Sequence, residues 1–198
     1  MNADSLILPS VLLTILTALG LLVSRNWRWS IVILALQYVG VFGLVVQFWP
    51  VELAGVKMIA GWIAGAVLGS AVLSTPEAWQ EEERSWPSGR AFRLFAAILV
   101  LLAMSSLAPR VGTWITGVGW EVSLAALSLI GLGLLHLGMT AQPLRVTLGL
   151  LTVLAGFEIL YAAVETSILV AGLLAGVTLG LALTGTYLLV APLMEERN

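Results

Sequence analysis

Two ionisable residues fall inside segments that are otherwise too apolar to lie in water. If the apolar run that follows Arg145 ended before Glu158, it would have only about 14 residues, too few to cross a bilayer. If it continues to about residue 164, Glu158 lies about 9 Å below the outer boundary. Lys57, the only lysine in the chain, falls at a similar depth in the third apolar segment. A Lys57–Glu158 pair is therefore geometrically possible.

Two interpretations of this pair remain open. A charged side chain inside a bilayer is costly and usually faces a protein interior or a hydrated path, so Glu158 and Lys57 are candidate stations for proton or cation movement. The alternative is a structural ion pair, or a lysine whose long stem reaches outward to the interface. His136, near the inner end of the fifth segment, is a third ion-translocation candidate because imidazole changes charge near neutral pH. Its alternative is a hydrogen-bonded interfacial side chain.

The composition excludes most other classes of protein. Of the 198 residues, 60% are hydrophobic and 10% are charged, whereas soluble domains carry about 25% charged residues. The formal charge of −2 offers no basic surface for nucleic acid. The absence of cysteine and the single histidine exclude thiolate, iron–sulfur and multi-histidine metal sites. No catalytic motif is present, so we expect neither a catalytic residue nor a cofactor.

The fold expected from these features is an all-α polytopic membrane protein with about seven transmembrane helices. Arginine is concentrated in alternate loops, which predicts an outer N-terminus and a cytoplasmic C-terminus. Several tryptophans fall near the predicted helix ends, as interfacial anchors do. The predicted spans are 6–23, 30–49, 51–74, 92–109, 120–139, 143–164 and 167–190. The fourth is expected to be the shortest and to end at Pro109-Arg110.

Two glycine ladders indicate an internal repeat. One lies in the third helix and one in the seventh, and each follows a Val-Glu pair; their members are Gly61, Gly65 and Gly69, and Gly172, Gly176 and Gly180. Glycines four apart share a helix face and allow close approach of another helix, from this chain or from another subunit. The pattern predicts a 3+1+3 plan with a parallel repeat. Its parts are a three-helix unit 1–74, a cytoplasmic linker 75–91, a connector helix 92–110 and a second unit 111–198.

The strongest likeness to known proteins lies in the second unit. The stretch GLGLLHLGMTAQPLRVTLGLLTVLAGFEILY, which begins at Gly131, and the later VETSILVAGLLAGVTLGLALTGTYLL resemble the K subunit of bacterial NADH–quinone oxidoreductase. They also resemble the C subunit of multisubunit sodium/proton antiporters. The whole chain is similar to the E component of the hydrogenase-four and formate-hydrogenlyase group. The resemblance implies a subunit of a complex-I-like, Mrp-antiporter-like or membrane-bound-hydrogenase-like assembly in a bacterial or archaeal plasma membrane. Its partners would be larger antiporter-like subunits and other small membrane subunits.

The chain departs from that family at the positions that matter most for conduction. The two intramembrane carboxylates of the family would fall at Leu151 and Gly176, which cannot carry a proton. Glu158, two turns further along its helix, is a possible substitute. The alternative is a purely structural subunit that positions its partners without moving an ion. A third possibility is an autonomous small-solute transporter, although broken helices and central polar clusters are missing from the sequence.

Overall fold

The structure, a computed structural model, describes residues 4–75, 89–115 and 117–195. This part of the chain forms seven helices and no strand, and every helix is long and apolar enough to cross a membrane. The all-α prediction and the predicted number of spans are confirmed, and the architecture is that of a multi-pass membrane protein. The helices are α1 (Asp4–Val23), α2 (Trp27–Val45), α3 (Val51–Ser74), α4 (Arg90–Trp114), α5 (Trp120–Gly138), α6 (Pro143–Ala162) and α7 (Ile168–Glu195).

Local sequence signals fix several of the helix ends. Asn26 accepts a hydrogen bond from the backbone N–H of Arg28 at 3.0 Å and caps the start of α2. Pro143 stands at the first turn of α6, where its missing N–H costs nothing. The carboxylate of Glu165 accepts from two backbone N–H groups, of Thr166 at 3.1 Å and Ser167 at 3.0 Å, just before α7. The side chains of Asn26 and Glu165 thus accept hydrogen bonds from backbone N–H groups for which the lipid tails of a bilayer offer no acceptor.

Successive helices run in opposite directions across the bundle. We define the start face as the side where α1 begins, together with α3, α5 and α7, and the end face as the opposite side. The helices α1, α2 and α3 form one row, and α5, α6 and α7 form a second row. The rows meet through α1 with α5, α2 with α6 and α3 with α7, so helices that face each other run in the same direction. Helix α4 packs outside the rows, against α5 and α1, and is the least buried helix.

The fourth span was predicted incorrectly. Helix α4 does not end at Pro109 but continues to Trp114, and its 25 residues make it longer than α1, α2, α5 or α6. A proline removes one backbone hydrogen bond, and the remaining bonds of a membrane helix hold because water is not available to compete for them. Arg110 therefore lies on the helix, where it is exposed, rather than in a loop.

Other boundaries and anchors also differ in detail. Helix α2 begins at Trp27, three residues earlier than predicted, because Asn26 provides the cap. Trp49 is not an interfacial anchor: it is 3% exposed, and its indole N–H donates to the backbone carbonyl of Glu165 at 2.8 Å. Most of the predicted linker 75–91, including the acidic run 81–83 and Trp86, lies outside the described residues.

Candidate functional site

Lys57 and Glu158 form a buried ion pair between α3 and α6. The ammonium group of Lys57 donates to Glu158 Oε1, and the two side chains are 2% and 1% exposed. Lys57 lies about 9 Å along α3 from the start face, and Glu158 lies about 6 Å from the start-face end of α6. Both groups are thus inside the apolar part of the bundle and at similar depth, and the structure brings together the two residues that their depths had suggested.

Two hydroxyl groups complete this cluster. Thr178 on α7 donates to its own helix at the carbonyl of Leu174, 3.0 Å away, and its hydroxyl lies 3.4 Å from Glu158 Oε1. The Tyr38 hydroxyl on α2 lies beside Thr178 and within electrostatic range of Glu158, but no donor or acceptor among the described residues meets it in hydrogen-bond geometry. Among the described residues, Glu158 Oε2 also has no partner. We refer to Lys57, Glu158, Thr178 and Tyr38 as the ion-pair cluster.

Gly61 determines where Tyr38 lies. A Cβ atom at position 61 would stand 2.2 to 2.4 Å from carbons of the Tyr38 ring, which is closer than any real contact. The ring therefore packs directly on the backbone of α3, and this contact aims the hydroxyl toward α6 and α7. Gly65 and Gly69 are different, since their nearest neighbours would be 3.8 and 3.9 Å from a Cβ. In the first glycine ladder, only Gly61 is needed for close approach.

The second glycine ladder faces away from the bundle. A Cβ at Gly172, Gly176 or Gly180 would meet no atom of the described chain within 4 Å, and all three residues lie on the exposed side of α7. These glycines do not bring two helices of this chain together. Close packing on this ladder stays a prediction, and it concerns a helix of another subunit.

His136 lies at the opposite end of the bundle from the ion pair. It is 3% exposed, and its Nε2 atom has no hydrogen-bond partner among the described residues. Two buried arginines lie within electrostatic range of it: Arg93 on α4 and Arg145 on α6. We refer to these three residues as the arginine cluster. The structure therefore separates His136 from the other two ion-translocation candidates by about 15 to 18 Å along the helix axes.

The arginines bind the end of α1. Arg93 Nη1 donates to the carbonyl of Leu22 at 3.2 Å, and Arg145 Nη2 donates to the carbonyl of Ser24 at 2.6 Å. Carbonyl groups at a helix C-terminus lack intrahelical partners and carry the negative end of the helix dipole. The two guanidinium groups thus hold α4 and α6 to α1 on the end face.

Sequence reasoning missed part of each cluster. No role in an ion pathway was predicted for Tyr38, and Thr178 lies within an apolar run with no motif around it. No role was predicted for Arg93, which lies inside α4 and is 2% exposed. No spacing rule connects Tyr38 with Gly61 or Thr178, because each lies on a different helix. Only the buried position of Arg93 had a local signal, namely the apolar residues on both sides of it.

The comparisons with known proteins identify no relative. No protein-family model, no curated protein and no solved structure matches this chain. In the part of the chain that the structure describes, no group of three or more histidine, aspartate or glutamate side chains is arranged to hold a metal ion. The functional argument therefore depends on the two clusters and their place in the bundle.

Proposed function

We propose that this chain is an integral membrane subunit of a complex-I-like, Mrp-antiporter-like or membrane-bound-hydrogenase-like assembly. It contributes to proton or sodium translocation beside larger antiporter-like subunits, with its N-terminus outside and its C-terminus in the cytoplasm. The observation that carries the proposal is the Lys57–Glu158 ion pair, buried inside a bundle of membrane-spanning helices.

The energetics of such a pair support a functional role. Burying two charges costs free energy, and their mutual attraction offsets this cost only when the geometry is good. Proteins in which apolar residues of similar volume replace such a pair are often equally or more stable. Packing alone therefore gives no reason to place a lysine and a glutamate here. Ionisable residues within membrane spans are typical of ion pathways and proton relays.

The geometry also supports a simple exchange at Glu158. Oε1 is engaged by Lys57, whereas Oε2 has no partner among the described residues and is available to a proton. Protonation of the carboxylate would neutralise Glu158 and release the Lys57 ammonium group, and loss of the proton would restore the pair. His136 is the candidate on the end face, which in this proposal is the cytoplasmic side.

The arrangement of helices is compatible with the proposed 3+1+3 repeat. The first and second three-helix units lie side by side, with corresponding helices in contact and parallel, while α4 stands outside them. We propose that α4 is the connector and that the two units are copies of one ancestral module.

A purely structural subunit is the second candidate function. The observation that favours it is the outward face of α7, where Gly172, Gly176 and Gly180 meet no atom of the described chain. Glycines in this arrangement suit close packing against a neighbouring membrane helix. In this alternative the Lys57–Glu158 pair fixes the position of α3 against α6 and moves no ion.

The Glu158→Gln variant separates these two functions. We expect the assembly to form normally, as judged by the subunits that co-purify in mild detergent, while ion pumping into membrane vesicles falls by at least about tenfold, equivalent to about 1.4 kcal/mol in an activation barrier. Glu52→Gln is the matched control, because Glu52 is an exposed glutamate in the first turn of α3. Normal pumping by Glu158→Gln would support the structural function. Full transport by the chain purified without partners would support an autonomous transporter.

A further inference from the structure

Gln37 is a polar side chain deep in the apolar bundle that the ion-pair cluster does not use. It lies on α2, about 12 Å from the start-face end of that helix, and it is 0% exposed. Neither its amide nitrogen nor its amide oxygen has a hydrogen-bond partner among the described residues. A primary amide offers two donors and one acceptor, and leaving all of them unsatisfied in an apolar interior is costly. Gln37 therefore requires a partner that the packing of side chains does not provide.

The face of α2 that carries Gln37 points toward α1. Gly40 lies one turn from Gln37 on the same face of the helix, since residues three apart are neighbours. A Cβ at Gly40 would stand 2.8 Å from the Cγ2 atom of Thr14 on α1. The backbones of α1 and α2 thus come close together beside Gln37.

The neighbours of Gln37 along the same face are apolar. Leu34 and Val41 lie one turn before and after Gln37, and both are buried. Leu34 belongs to the apolar cluster that includes Leu151 of α6, and Val41 belongs to the cluster that includes Ala155. The residues one turn before and after Gln37 thus belong to two apolar clusters, each of which includes residues of α6, and α2 and α6 are in contact.

Four helices contribute one buried polar side chain each at this depth. Helices α1, α2, α6 and α5 form a closed ring of contacts. Their polar residues lie about 12 to 15 Å from the start-face ends of the helices, and each is at most 2% exposed. We name them the mid-membrane polar layer: Thr14, Gln37, Ser128 and Thr152.

The members of this layer have free hydrogen-bonding capacity. The Ser128 hydroxyl has no partner among the described residues. Thr14 donates to the carbonyl of Val11 at 2.9 Å and Thr152 to the carbonyl of Leu148 at 2.8 Å, so the lone pairs of both hydroxyl oxygens can still accept. The layer thus contains donors and acceptors on different helices of an otherwise apolar bundle.

We propose that the mid-membrane polar layer binds water inside the bundle, with the Gln37 amide as its principal ligand. Buried waters typically make about three hydrogen bonds to polar groups that would otherwise be unsatisfied. A water molecule donates and accepts at once, so it can pair with the amide and with a hydroxyl on a neighbouring helix. This inference does not depend on ion translocation, because a purely structural subunit would need the same water to satisfy Gln37.

Hydroxyl-radical footprinting by X-ray radiolysis tests the proposal on the intact chain in lipid nanodiscs. Bound water generates radicals that label adjacent side chains even when bulk solvent cannot reach them. Leu34 and Leu68 are both 0% exposed and chemically identical, but only Leu34 adjoins Gln37. We expect Leu34 to be labelled at least about tenfold faster than Leu68. Equal labelling of the two leucines would overturn the proposal, since a dry interior protects both.

Two variants test whether Gln37 is the residue that binds the water. Gln37→Leu should lower the labelling of Leu34 to that of Leu68, whereas Gln47→Leu, a matched change in the partly buried turn after α2, should leave it unchanged. Undiminished labelling of Leu34 in Gln37→Leu would exclude Gln37 as the ligand. If Gln37→Leu does not fold, Ser128→Ala provides the test: reduced labelling supports the polar layer, and unchanged labelling contradicts it.

Discussion

The bundle neutralises buried charge differently at its two faces. Near the start face, Lys57 is paired with the carboxylate of Glu158, and two hydroxyl groups lie close to that carboxylate. Near the end face, Arg93 and Arg145 bind backbone carbonyls at the end of α1. A carboxylate can be neutralised by one proton, whereas a carbonyl group cannot. One proton at Glu158 would therefore remove the counter-charge of Lys57, whereas the bonds from the two arginines to backbone carbonyls involve no group that takes up a proton.

Removing one member of the ion pair should have the largest effect on stability. Glu158→Leu leaves the Lys57 ammonium group buried without its counter-charge, and we expect a loss of about 3–5 kcal/mol in the free energy of unfolding. The double variant Lys57→Met/Glu158→Leu should recover most of that loss, because neither charge remains. Thermal unfolding of the unmodified chain, Lys57→Met, Glu158→Leu and the double variant in the same detergent gives the coupling energy. A neutral single variant would show that the pair is hydrated, and the contrast between the two faces would then disappear.

Removing an arginine on the end face should cost less. Arg145→Met removes a charge-assisted hydrogen bond to Ser24, for which we expect a loss of about 1.5–3 kcal/mol. The bond that this change removes ends on a backbone carbonyl, whereas the bond of Lys57 ends on a buried carboxylate. Amide hydrogen exchange should increase at the end of α1 and remain unchanged near Lys57. A loss as large as that of Glu158→Leu would contradict the comparison.

A methyl group at Gly61 tests how the ion-pair cluster is held in place. Gly61→Ala pushes a Cβ into the Tyr38 ring, and overpacking of this kind costs about 1–3 kcal/mol. Gly65→Ala is the matched control one turn away, where the Cβ meets only ordinary contacts at 3.8 Å. The control should be neutral or slightly stabilising, since alanine favours helix by about 1 kcal/mol over glycine. Equal melting temperatures for the two variants would show that Tyr38 moves aside freely.

His136 should give the smallest effect on stability. Its Nε2 atom has no partner among the described residues, so His136→Leu should change the free energy of unfolding by about 1 kcal/mol or less. In the proposed function the same variant should slow ion pumping, because it removes a candidate relay near the end face. Thermal unfolding and vesicle pumping, measured on one preparation, distinguish these effects. A large drop in stability with normal pumping would make His136 a structural member of the arginine cluster.

The fold was more predictable than the site. The intervals between charged residues gave the number of spans because a bilayer requires about 20 apolar residues per helix. The end of α4 was predicted too early, because proline commonly ends a helix in a soluble protein but is tolerated within a membrane helix. The similar depths of Lys57 and Glu158 made their contact geometrically possible, but depth does not determine which way a side chain points. Tyr38 and Thr178 were not foreseen, because their roles depend on which helices become neighbours.

By itself, the sequence determined that seven apolar segments form helices and that Lys57 and Glu158 lie at similar depth within them. These properties follow from hydrogen-bond satisfaction and from the rise of a helix, which act along the chain. Only the tertiary structure decided that α3 and α6 turn these two residues toward each other, and that the glycines of α7 face outward. The rotation of each helix about its axis and the identity of its neighbours depend on side-chain packing between segments far apart in the chain. The hydropathy of the sequence does not predict this packing.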